Sequence, residues 1–194
     1  MNRPVNCCDP LPLVAAAAFF RNLAFSRALT AHFFRIGDQR AVEFDAVAVR
    51  QHRRHRHYLA ENTDFGVLDI EMTSAATGDP LFAGFPSVIK ALQWHGYEVR
   101  GLDHNPGVTI LGSSPTTPYQ IFAYREHAWA MQFHVEVRAD TVRLWGEVPE
   151  YRDALETSLG AGALANLDAD AAAQMPEMNR LAGLIYDNFK RRLS

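Results

Sequence analysis

His134 and Glu136 stand two residues apart in the stretch Ala130-Met-Gln-Phe-His-Val-Glu-Val137, inside an otherwise apolar run. On a strand, side chains alternate between faces, so Gln132, His134 and Glu136 project to one side and Phe133, Val135 and Val137 to the other. A carboxylate beside an imidazole orients the ring, fixes its tautomer and stabilises the imidazolium, which is the support a general base needs when it activates a nucleophile. The pair has the makings of the base and orienter of a triad. The same spacing also arises on a strand whose polar face merely meets solvent, and residue types alone favour that blander reading.

The elements that must position the pair lie downstream of Asp64 and read as α/β. "FGVLDIEMT", Phe65 to Thr73, alternates apolar and polar residues and predicts a strand with one buried face. Gly78, Asp79, Pro80, Gly84 and Pro86 then punctuate a turn region. Further strands are expected at Lys90 to Trp94, Tyr97 to Leu102, Val108 to Gly112, Tyr119 to Tyr124 and Ala128 to Val137. After Val137 the period changes from two to that of a helix. Asp140 to Trp145 and Pro149 to Leu159 read as short helices, Asn166 to Gln174 as another. Met178 to Leu193 aligns Leu181, Leu184, Ile185, Phe189 and Leu193 on one stripe.

Residues 1–62 differ in kind. No acidic residue falls between Asp9 and Asp38, Arg21, Arg27 and Arg35 interrupt an Ala/Phe/Leu background, and Arg50 to His57 reads "RQHRRHRH". Such a stretch supplies few turn signals, and a boundary is expected near Asn62. Three readings are open. It is an acid-poor targeting segment, a His/Arg patch for metal or phosphate, or an N-terminal extension with a solvated basic face, the last including the case that it is not the natural N-terminus. The expected division is 1–62, 63–148 and a helical tail over 149–194.

The whole chain has 194 residues, 48% hydrophobic and 21% charged, with a net charge of −3. That balance fits one globular domain and gives no electrostatic case for nucleic acid. The longest apolar run, Pro10 to Phe20, is about half of the roughly 18–20 residues that span a bilayer, so no membrane insertion is expected. Cys7 and Cys8 are adjacent, so they make neither a staple across a fold nor a zinc knuckle, and a reducing, cytoplasmic setting is expected. No metal spacing and no phosphate-binding glycine loop is evident, so no metal, cofactor or ATP site is expected. Trp94, Trp129 and Trp145 read as core or cleft-wall packing, and His104 and His127 as solvated turn residues.

"LQWHGYEV" (Leu92 to Val99), "ILGSSPTTPYQIFAY" (Ile110 to Tyr124) and "HAWAMQFHVEV" (His127 to Val137) follow one another in register. Together with "DFGVLDIEMT" and "DPLFAGFP" upstream, they resemble the C-terminal half of the class I glutamine amidotransferase domain. The likeness is greatest to stand-alone bacterial relatives of the GMP synthase glutaminase domain. The resemblance implies a three-layer α/β/α open sheet of flavodoxin type, its N-terminal half incomplete or atypical here. It further implies a cysteine thiolate that attacks the amide of glutamine, forms a glutamyl thioester and releases ammonia to an acceptor site in a synthetase domain or subunit. On this resemblance His134 is the general base and acid and Glu136 orients it. His95, Gly96 and Ser113 are expected near the glutamine pocket. The family usually has proline between the base and its orienter, where this chain has Val135.

The family's nucleophile sits in a Gly-x-Cys-x-Gly turn, where a helix N-terminus favours the thiolate and backbone amides form the oxyanion hole. This chain has no such turn, and the matching region near Gln39 to Glu43 has no cysteine. Cys7 and Cys8 lack flanking glycines, lie next to Asp9, and precede Pro10 and Pro12, which prevent a following regular helix. "GSSPT" (Gly112 to Thr116) is not a serine elbow either. The functions open at this point are a glutamine-hydrolysing amidotransferase lacking its nucleophile, a non-catalytic binding or regulatory relative, and a basic-armed protein that uses "RQHRRHRH" on phosphates.

Overall fold

The computed structural model describes residues 32–35, 64–95, 98–126 and 128–193. Cys7, Cys8, the Arg50 to His57 run, Gly96 and His127 lie outside these residues. Six strands are described: β1 (His32–Arg35), β2 (Asp64–Met72), β3 (Val88–His95), β4 (Val108–Ser113), β5 (Ile121–Tyr124) and β6 (Ala128–Met131). Helices are α1 (Ser74–Thr77), α2 (Thr141–Gly146), α3 (Pro149–Leu159) and α4 (Ala163–Leu193), with a 3-10 turn at Pro80–Phe82. The strands form one sheet in the order β1-β6-β5-β4-β2-β3, and its pairings are antiparallel. The α/β class expected from the alternating and helical periods is the class found.

The strand alternation sets up two clusters. Ile121, Ala123, Trp129 and Met131 belong to the main core, whereas Phe122 and Ala130, one residue out of phase, pack with Leu102 and Tyr119 in a second cluster. β5 and β6 are therefore buried on both faces, which is why they read as continuous apolar runs. α4 covers the main core with Leu167, Ala171, Met178, Leu181, Ile185 and Phe189. Asn188 on the same helix donates from Nδ2 to the carbonyls of Leu81 at 2.8 Å and Ala83 at 2.9 Å, tying the helix to the 3-10 turn. Among the described residues no helix is long and apolar enough to cross a membrane.

Three expectations about the elements need correction. The helices expected at Asn166 to Gln174 and Met178 to Leu193 are one helix that runs through Pro176. Proline removes a backbone donor and favours a break, but Leu167, Ala171, Met178, Leu181 and Ile185 fall on one buried stripe across it, and that burial holds the two halves in line. The strand expected at Tyr97 to Leu102 is absent over its described residues, 98–102. There the Val99 amide is taken by the side chain of Gln132 at 3.0 Å instead of by a neighbouring strand. Finally, the strand expected over Ala128 to Val137 ends at Met131. His104 is exposed, as its turn position implied.

Candidate active site

The early end of β6 is what builds the site. The Gln132 amide still bonds the Gln120 carbonyl at 3.0 Å, across from β5. The chain then bends, and His134 bridges antiparallel to Leu92 of β3, with Leu92 N to His134 O at 3.0 Å and His134 N to Leu92 O at 2.8 Å. Because β3 lies at the opposite end of the strand order from β1 and β6, the sheet curls to make this contact. His134 is thus pinned by its backbone two residues before Trp94.

The side chains follow from that position. His134 Nδ1 lies 2.8 Å from Glu136 Oε1, and the other carboxylate oxygen, Oε2, accepts from the Val135 amide at 3.0 Å. A proline at 135 has no N–H to offer. The valine here therefore adds a second grip on Glu136, and the carboxylate is held at both oxygens. Since an ionised carboxylate only accepts, Nδ1 carries the proton and Nε2 the lone pair of the neutral ring. That is the tautomer a general base requires. Two of the three residues of the polar face are buried, His134 at 4% exposed and Gln132 at 2%, while Glu136 is half-buried.

An aromatic wall joins this pair to Trp94, near the end of β3. The Trp145 ring packs edge-on against His134, with centroids 4.8 Å apart at 67°, and against Trp94 at 5.7 Å and 82°. Trp145 comes from α2, so the helix following the His-x-Glu segment folds back to cover the imidazole. Gln132, expected on the same face as the pair, does not join it. Its amide spans the Val99 N–H and the Tyr119 carbonyl, at 3.0 and 2.9 Å, and so straps the segment at Val99 to the residues just before β5.

His95 ends β3 and its ring lies 3.2 Å from Gln93 Oε1, within a buried polar group formed with Asp64, Thr117 and Gln120. Ser113 ends β4 opposite Glu71, just after an irregularity in the register between Ile110 and Gly112. It is the next residue, Ser114, that reaches Gln120, at 3.2 Å. Asp64, Gln93, Thr117 and Gln120 carried no sequence signal of their own, being ordinary polar residues scattered over two strands and a loop. Tyr119 donates its phenol proton to Asp103, and burial, with the bond and charge of Asp103 behind it, raises the phenol above its ordinary value of 10.0. Among the described residues no cluster of three or more His, Cys, Asp or Glu is placed to hold a metal ion.

Comparison with known proteins bears on the fold and the family. The family model for glutamine amidotransferase class-I matches residues 30–143, more than half of the chain. A glutamine amidotransferase of Thermotoga maritima shares 20% identity over 76% of this chain and 69% of its own, with a TM-score of 0.57. A glutamine amido transferase of Methylobacillus flagellatus shares 15% over 98% of this chain and 74% of its own, at 0.52. The protein SMU.1228c shares 21% over 66% of this chain, at 0.55, and the chain spans 53% of that protein's length. No curated protein matches the sequence. These structural likenesses carry the fold, and with the family match over more than half its length the chain belongs to the class I glutamine amidotransferase family.

Proposed function

We propose that the protein binds glutamine beside His134 and Glu136 and holds the base half of a glutamine-hydrolysing triad. The carrying observation is the contact at 2.8 Å between buried His134 and half-buried Glu136, with the imidazole covered by the same Trp145 that packs on Trp94 of β3. In the family's reaction His134 takes the thiol proton at Nε2, the thiolate attacks the side-chain amide, and the protonated imidazole returns its proton to the departing ammonia. Water then resolves the thioester to glutamate, and the ammonia passes to an acceptor in a synthetase domain or subunit. Glu136 keeps the ring in the required tautomer throughout.

The second reading, a binding relative that does not turn glutamine over, is favoured by one feature of the sequence. Its only thiols are Cys7 and Cys8, neither in a Gly-x-Cys-x-Gly turn. The chain therefore binds glutamine without hydrolysing it by the thioester route. Calorimetric titration with glutamine should give a saturable heat that asparagine, one methylene shorter, does not reproduce. A glutamine-mimicking thiol alkylator should leave the mass of the folded protein unchanged. Absence of any glutamine heat would remove the glutamine reading; a single His134-dependent adduct would show that the triad is complete.

A further inference from the structure

Asp64 is 2% exposed and sits at the start of β2, opposite His95 in the β2–β3 register. Its Oδ2 accepts from Thr117 Oγ1 at 2.6 Å and from Gln120 Nε2 at 3.3 Å. Gln120 Nε2 also donates to Gln93 Oε1 at 2.6 Å, and Gln93 Oε1 lies 3.2 Å from His95 Nε2. Two atoms of this group have no partner, Gln93 Nε2 and Gln120 Oε1. Gln93 and Gln120 are both fully buried, so each orphan costs free energy and the arrangement needs a reason.

The reason lies in the polarity of the chain of bonds. A carboxamide can be turned end for end, and two in series have two self-consistent orientations. Turning both would set Gln120 Oε1 against Asp64 Oδ2 at 3.3 Å, two acceptors face to face in a buried site. An ionised Asp64 forbids that. Gln120 must then donate, Gln93 must present its oxygen, and His95 must donate from Nε2.

We propose that Asp64 is a positioning residue that, through Gln120 and Gln93, sets His95, the last residue of β3, in its Nε2–H tautomer. Ser114 and Thr117 close the group from the β4–β5 loop: Ser114 Oγ accepts from Gln120 Nε2 and from the Thr117 amide, at 3.2 and 3.1 Å. The relay thus fixes both the ring and the strand ends that carry it. The tautomer stands apart from the glutamine reading above.

The test is long-range 1H–15N correlation on protein with 15N-labelled histidine, at about pH 8.5, roughly two units above the ordinary histidine value. Wild type should show His95 as Nε2–H. Asp64→Asn frees both amides to reverse, and Gln120→Leu breaks the chain with an apolar residue of similar size. Each should lower the ratio of Nε2–H to Nδ1–H roughly fivefold or more, the change carried by one net hydrogen bond. Thr117→Val loses a bond to Asp64 but leaves the relay whole, and should not move the ratio.

Should Asp64→Asn not fold, Gln120→Leu against Thr117→Val still decides. A wild-type Nδ1–H ring overturns the proposal. So does a ratio unmoved in both relay variants, or one moved equally by Thr117→Val. Glutamine heats on the same samples separate the two ideas: the predicted tautomers without glutamine binding leave the relay standing and remove the pocket.

Discussion

Given saturating glutamine, the protein is expected to release ammonia about a millionfold more slowly than a triad with its nucleophile in place. The figure follows from how such triads fail. Removing the nucleophile alone costs about as much as removing all the members together, because base and orienter have nothing to activate. For the same reason His134→Ala and Glu136→Ala should lower the residual rate little further, within about threefold of the parent, since the members act as one unit. A coupled assay for free ammonia reads all three proteins under one set of conditions. A drop of about a hundredfold or more in His134→Ala would mean that a nucleophile is at work in the chain.

The largest stability effect is expected at Trp129. Its indole is 2% exposed in the main core, and its N–H reaches both oxygens of Asp79 at 3.0 Å. Asp79 in turn accepts from the Leu81 amide at 2.8 Å, capping the 3-10 turn that Asn188 of α4 grips from the other side. Trp129→Ala removes a large buried side chain and the partner of a carboxylate together, and should cost about 3–5 kcal/mol. Against a typical domain stability of about 5–15 kcal/mol that is roughly a fifth of the total or more. Trp129→Phe keeps most of the ring and loses the N–H, so about 1–2 kcal/mol is expected. Urea unfolding with shared slopes separates the two, and a Trp129→Ala cost under about 1 kcal/mol would contradict this packing account.

Much of the scaffold is legible where local pattern and final environment agree. β2 and β3 were readable from alternating or β-branched runs between turn residues, and α3 from Pro149 at its first position to Leu159 before Gly160. The pairing of His134 with Glu136 was readable too, because a two-residue spacing on extended chain puts both side chains on one side.

What escaped reading depends on contacts between distant residues. The bend after Met131 is set by the Leu92–His134 bridge, and a segment buried on both faces has no periodicity to announce where it turns. Gln132 belongs to the Tyr119–Val99 strap and not to the histidine, although alternation alone groups it with the pair. Helix α4 continues past Pro176 because tertiary burial outweighs a local breaker. The relay from Asp64 to His95 assembles residues up to 56 positions apart, each unremarkable in its own neighbourhood.

The departure at Val135 was visible in the sequence, yet its meaning was not. Only the fold shows that the valine amide reaches the Glu136 carboxylate. The Glu136 carboxylate is thereby more tightly held than the His-x-Glu spacing alone implies.

On the proposed function, glutamine is held at His134 and Glu136 although the sequence has no Gly-x-Cys-x-Gly thiol. The measurement that meets it most directly is one NMR titration of 15N-histidine-labelled protein with amide-15N glutamine. The His134 ring signals are expected to shift saturably while the ligand's nitrogen stays on glutamine. His134 signals that ignore glutamine at every concentration would contradict it.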